Sequence, residues 1–207
     1  MIRKEKLEKL RSIIEELKTI EVKEREIEQK NKFLQSKSYY FRLNNGKIIP
    51  RERLIKGGKD GSAAIIMPVL PNNEVLTIIE PRVFTDMTVG IGFPAGYIEK
   101  GEDASVGALR ELREETGFVP KKMIEMDSFY QDEGVSSALN HIFLALECEK
   151  KFDQELDKDE IVEYMTFNYE ELFELEKLGY IKGVNTKLAL EKSKVYMKGR
   201  LYEKIWC

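Results

Sequence analysis

The chain has 207 residues, with 34 Lys plus Arg against 37 Asp plus Glu, one histidine (His141) and two cysteines (Cys148 and Cys207). So little imidazole and thiol disfavours a Ser-His-Asp hydrolase, a zinc centre of three or four His and Cys ligands, and a disulfide framework. A net charge of −3 lacks the basic surplus of general nucleic-acid binding, and no apolar run reaches the roughly 18 residues of a membrane span, so neither partner is expected.

Residues 3 to about 36 contain no Gly or Pro and are rich in charge, which suits helix. Leu7, Leu10, Ile14 and Leu17 follow helical spacing, while Glu24 and Asn31 interrupt the heptad of Ile13, Ile20, Ile27 and Leu34. One long helix or two shorter ones are expected, docked on the body or on a partner subunit. Residues 1–37 are thus read as an N-terminal helical extension and 38–207 as the main domain. The first residues lack the apolar core of a signal peptide, and with few cysteines this points to the cytoplasm.

After Ser38 the pattern turns to strand. Tyr39–Leu43 and Lys47–Ile49 flank Asn44-Asn45-Gly46, a hairpin signal, with Pro50 expected to end the ribbon or lie at its edge. A Gly-rich loop at 57–61 leads into the apolar run Ala63–Leu70, and Val75–Ile79 is the returning strand. Further strands are expected at 122–130, from Asn140 to Cys148 and from Ile161 to Phe167, then helices near 169–178 and 185–197. His141 is expected to lie in a strand in a structural role, and Trp206 and Cys207 to pack in the tail. The whole reads as α/β (α+β), a mixed sheet with helices on its faces.

Between Asp103, a good N-cap, and Gly117, a good helix terminator, lies a helix of about three turns. Ala104, Ala108 and Leu112 form its apolar stripe, and Glu111, Glu114 and Glu115 share a neighbouring face. Three carboxylates so placed repel by about a few tenths of a kcal/mol per pair. A divalent cation would reverse that cost, and Mg²⁺ suits oxygen ligands and phosphate-bearing substrates. The same residues also describe a solvated face, with Arg110 and Glu114 as an i, i+4 pair. Gly92, Gly96 and Gly101 ahead of the helix permit tight turns and close approach to a ligand.

The segment from Gly96 to Phe118 resembles the Nudix box, Gly-x5-Glu-x7-Arg-Glu-aliphatic-x-Glu-Glu-x-Gly-aliphatic; every defined position fits except the last, where Phe118 is apolar but aromatic. The resemblance implies a Nudix-type mixed β-sheet sandwich between helices. It also implies hydrolysis of a nucleoside diphosphate linked to another group, with Mg²⁺ or Mn²⁺. It makes Glu111, Glu114 and Glu115 the metal-binding glutamates and Arg110 with Glu102 the pair that holds the loop against the helix. Ala95 matches a position whose carbonyl ligates metal.

The flanks, about 38–190, resemble the ADP-ribose and nucleotide-sugar pyrophosphatase branch: Pro94-Ala95-Gly96 leads into the box and Arg82 lies upstream. This implies a homodimer built through the hairpin at 38–56, with Arg82 on the diphosphate or simply at the surface, and Arg51 reaching substrate across the interface. Tyr39, Tyr40 and Phe41 either stack on a base or pack across the strands. In the loop after the box Gly134 and Ser136 match the branch, whereas Glu133 replaces a proline and Ala138 stands where a ribose-binding glutamate is expected. Asp159 and Glu160, in an acidic loop at 157–160, are candidates for the general base. The expected products are a nucleoside monophosphate and a sugar phosphate. The alternatives are a housecleaning hydrolase of nucleoside triphosphates or dinucleotides, and a non-catalytic ligand sensor of the same fold.

Overall fold

The structure is a computed structural model that describes residues 2–21, 33–57 and 59–203, with side chains to Met197. In chain order the elements are α1 (Lys4–Leu17), β1 (Leu34–Arg42), β2 (Ile48–Lys56), β3 (Ala63–Val69), β4 (Val75–Pro81), β5 (Val89–Gly92) and β6 (Ala95–Tyr97). There follow α2 (Ala104–Thr116), β7 (Phe118–Val119), β8 (Lys122–Tyr130), β9 (Leu139–Leu146), β10 (Glu149–Lys150), β11 (Glu163–Phe167), α3 (Tyr169–Lys177) and α4 (Val184–Glu203).

The central sheet runs β11-β4-β3-β9-β8, with β5 paired to β4 and β6 to β3. It is mixed, because β3 and β9 are parallel while the other pairings are antiparallel. Alternation along the two inner strands splits the core between the faces. Ile65, Met67 and Val69 of β3 join Ile142, Leu144 and Leu146 of β9 beneath α1, α3 and α4. Ala64, Ile66, Phe143 and Ala145 face the other way and meet Ala108 and Leu112 of α2. The expected sandwich of a mixed sheet between helices is what the chain forms.

The N-terminal helix is an integral part of that sandwich. Leu10 and Ile14 are buried in the larger core, and Lys6 Nζ reaches the buried Glu171 of α3 at 2.7 Å. After α1, the Thr19 N–H donates to Thr88 Oγ1 at 3.0 Å. The helix expected to about residue 36 needs a correction at its far end, because Leu34 opens β1, paired with Lys56. Ile27, Glu24 and Asn31 of the proposed heptad lie outside the described residues, as do Trp206 and Cys207.

The hairpin forms as a separate two-stranded sheet. Pro50 sits within β2 opposite Tyr40 rather than ending it. A ribbon of two strands has only edges, so a residue without an N–H is tolerated there. Tyr40, Phe41 and Ile48 are exposed, and the Leu54 N–H donates to Val135 O at 2.7 Å, tying the ribbon to the loop before β9. His141 lies on β9 as expected, its Nδ1 2.7 Å from Glu125 Oε1 and its ring beside Phe143. Cys148 is a buried free thiol, its pKa pushed up to about 12 by burial.

Candidate active site

Helix α2 starts and stops where its sequence directs. Asp103 Oδ1 accepts from the Ser105 N–H at 2.8 Å. Gly117 adopts φ 77°, and its N–H donates to Arg113 O at 2.7 Å. Two more carbonyls at that end are met from a distant loop. Gln154 Nε2 donates to Glu115 O at 2.7 Å and to Val162 O at 3.1 Å, and the Glu155 N–H donates to Glu114 O at 2.8 Å. These bonds clip the acidic loop to the end of the helix.

Arg110 organises the segment before α2. Its Nε and Nη2 donate to the two oxygens of Glu102, each at 3.1 Å, and Nη2 also donates to Tyr97 O at 3.0 Å. Nη1 donates to Glu111 Oε1 at 2.6 Å and to Glu114 Oε2 at 3.2 Å. Glu102 in turn accepts from the Glu99 N–H at 2.8 Å, and the Arg110 hydrogen bond holds its carboxyl below the usual range. The Arg110–Glu102 hydrogen bonds thus link the loop before α2 to the helix.

Glu115 is the buried member of the cluster, 8% exposed. One of its oxygens accepts from the Ala95 N–H at 3.1 Å. Burial first, then the charges of Glu80 and Glu111, push its pKa up to about 9. Burial also raises Glu111 and Glu80 above the ordinary carboxylate range. Glu80, on β4, had no marker in the sequence; it arrives through the pairing of β4 with β5, opposite Gly90. Its Oε1 is 2.5 Å from Arg82 Nη2.

These groups line one cleft of about 660 Å³, together with Gly96, Lys56, Lys59, Gln131, Asn140, Asn185, Asp157 and Glu160. Of the two loop acids, Glu160 lines the cleft and Asp159 does not, and the charge of Glu160 is felt at Glu80, Glu111 and Glu115. Arg82 lies in the cleft. Arg51, Gly134 and Ser136 come together elsewhere, in a second cleft of about 520 Å³ beside Tyr39, Phe41 and Arg53. Ala138 is buried, its N–H donating to Ser136 Oγ at 3.1 Å.

Among the described residues no three acidic, His or Cys side chains already converge as ligands of one ion. Arg110 explains this, since its Nη1 binds Glu111 and Glu114 and so takes the place of a counter-cation. The donor set still fits a hard divalent cation. It is all oxygen, and it includes a buried carboxyl that ionises only against the charge of its neighbours, a cost that a cation would remove.

A model of the NUDIX domain matches residues 59–186, more than half of the chain. The chain belongs to the Nudix family. It is therefore a hydrolase, and this family generally uses a divalent metal. It is 34% identical over 152 residues to the ADP-ribose pyrophosphatase of Bacillus subtilis (strain 168), covering 72% of this chain and 78% of that protein. It is 30% identical over 150 residues to the methanol dehydrogenase activator of Bacillus methanolicus, with the same coverage of 72% and 78%. The fold superposes with TM-score 0.70 on a crystal structure of an ADP compounds hydrolase, at 21% identity, over 82% of this chain and 89% of that one. Among the described residues, no helix of this Nudix chain is long and apolar enough to cross a membrane.

Proposed function

We propose that this Nudix hydrolase cleaves the pyrophosphate bond of a nucleoside diphosphate linked to a sugar, with Mg²⁺ or Mn²⁺, releasing a nucleoside monophosphate and a sugar phosphate. The observation that carries this reading is the gathering of Glu80, Glu111, Glu114 and Glu115 in a cleft that also holds Lys56, Lys59 and Arg82. Carboxylates alone would repel a diphosphate, and cations alone would bind it without activating water. The name of the Bacillus subtilis relative, an ADP-ribose pyrophosphatase, supports the sugar-linked class.

Glu111, Glu114 and Glu115, with the Ala95 carbonyl, would hold the metal. When bound, it supplies charge to the phosphate oxygens and makes a water more acidic. Arg110 is committed to Glu102, Glu111, Glu114 and Tyr97 O, so it sets the carboxylates in place rather than grasping substrate. Arg82 binds the diphosphate, sharing its charge with Glu80. Glu160 takes the proton of the attacking water, whose oxygen bonds to phosphorus as the bridging P–O bond breaks. A panel of nucleotide sugars, nucleoside triphosphates and dinucleotides, assayed with Mg²⁺, tests this. A nucleotide sugar should be the fastest substrate and yield the two monophosphates. Rapid triphosphate turnover with no hydrolysis of any nucleotide sugar would favour the housecleaning alternative instead. The sensor alternative has less support, because the glutamates of the box are all present.

The hairpin of β1 and β2 builds a homodimer in this reading. Its support is a ribbon outside the main sheet that exposes Tyr40 and Ile48 on one face and Phe41 on the other, apolar surface that is costly to leave in water. Arg51, which shares the second cleft with Tyr39 and Phe41, then meets substrate only across the two-fold interface. Light scattering should find a dimer for the wild type and a monomer for the double variant Phe41→Asp, Ile48→Asp. A wild type that is monomeric at micromolar concentration would remove the dimer.

A further inference from the structure

Asn140 lies on β9 on the face it shares with Ile142, Leu144 and Leu146, because side chains two residues apart point the same way. Those three belong to the larger apolar core. At Asn140 the same face reaches the catalytic cleft. Asn140 is 1% exposed, yet neither its Oδ1 nor its Nδ2 has a hydrogen-bond partner. A buried amide with both ends unpaired opposes folding, and an apolar residue would serve the core better. Across the same lining, the buried Oδ1 of Asn185, at the start of α4, is also unpaired.

We infer that Asn140 is a specificity residue that binds a pair of sugar hydroxyls on the substrate. The inference rests on the nucleotide-sugar reading above. The ligand must offer an acceptor to Nδ2 and a donor to Oδ1. Diphosphate oxygens only accept. A base edge offers both, but a base is normally held by stacking, and Tyr97 is the aromatic side chain in a lining that is otherwise charged, amide or small. Neighbouring sugar hydroxyls each donate and accept, which matches the amide. Asn185 Oδ1 supplies an acceptor for a further hydroxyl. Being uncharged, both amides can lie beside the diphosphate without repelling it.

The test compares wild type with Asn140→Ala and Asn140→Leu on three substrates in Mg²⁺. These are the preferred nucleotide sugar, the methyl ester of the same nucleoside diphosphate, which lacks the distal sugar, and the 2′,3′-dideoxy form of the nucleotide sugar. Asn140→Ala should lower kcat/KM on the full substrate by about tenfold, mainly through KM. The loss should vanish on one analogue: on the methyl ester if the distal sugar is bound, on the dideoxy form if the nucleoside ribose is. Asn140→Leu, which removes the unpaired amide and keeps a similar shape, should melt no lower than wild type and up to about 2–4 °C higher. Equal losses on all three substrates, no loss on any, or a marked drop in melting temperature for Asn140→Leu would overturn the inference. A wild type that hydrolyses no nucleotide sugar would overturn the reaction and this inference together. Normal wild-type turnover with unchanged variants overturns the inference alone.

Discussion

Glu115→Gln should lower kcat on the order of a hundred- to a thousand-fold while leaving the protein folded. Glutamine keeps the shape and an oxygen for the Ala95 N–H, now 3.1 Å from Glu115, so the packing survives. What is lost is a negative charge needed by the cation. The same substitution has a second consequence. The folded pKa of Glu115 is pushed from 4.5 up to about 9. A carboxyl raised in this way stabilises the fold fully below pH 4.5, where it is protonated in both states, and that contribution declines as pH rises to about 9. The metal-free wild type should therefore melt lower near pH 8 than near pH 6, and Mg²⁺ should raise its melting temperature more at the higher pH. In Glu115→Gln both effects should shrink. Thermal melts in chelator and in Mg²⁺ check this, and a metal-free stability that rises across that interval would contradict the burial argument.

Gly96→Ala should cost nearly as much activity, for a steric reason. A Cβ at residue 96 would overlap the carboxylate of Glu111. That carboxylate is fixed at 2.6 Å from Arg110 Nη1, and Arg110 also carries Glu102, Glu114 and the Tyr97 carbonyl. Glu111 can swing aside only by leaving this arrangement. The displaced group is the end of a flexible side chain, so stability should change by no more than about 1 kcal/mol. The expected result is a drop in kcat of about a hundredfold or more with a nearly unchanged melting temperature. Activity close to wild type would mean that Glu111 is not required where the structure holds it.

Helix α2 was legible in the sequence because its determinants are local. Asp103 and Gly117 cap it, and spacing alone puts Glu111, Glu114 and Glu115 on neighbouring positions of one helix. The hairpin was legible from Asn44-Asn45-Gly46 for the same reason. What the sequence concealed depends on pairing between distant segments. The short strands β5 and β6 hold four and three residues, with glycines at 90, 92 and 96, too little for alternation to register. They nonetheless bring Ala95 opposite Ile65 and Gly90 opposite Glu80. Glu80 thus reached the site from β4, one residue past the returning strand expected at Val75–Ile79. Asn140 was equally hidden, because no motif marks a polar residue where an apolar strand face runs into a cleft. Leu34 fits a helical heptad and a strand alike, and its partner Lys56 decided the matter. The acidic loop was expected from the resemblance to the pyrophosphatase branch, but Gln154 and Glu155, which fix it to α2, showed no local pattern.

The central assignment is that Glu111, Glu114 and Glu115 form a divalent-cation site beside a diphosphate-binding cleft. Titration of Mn²⁺ followed by electron paramagnetic resonance measures that site directly, without reference to substrate. Wild-type protein should bind Mn²⁺ saturably in competition with Mg²⁺, and Glu114→Gln and Glu115→Gln should each weaken binding by about tenfold or more. Equal Mn²⁺ affinity in all three proteins, or none in the wild type, would contradict the assignment.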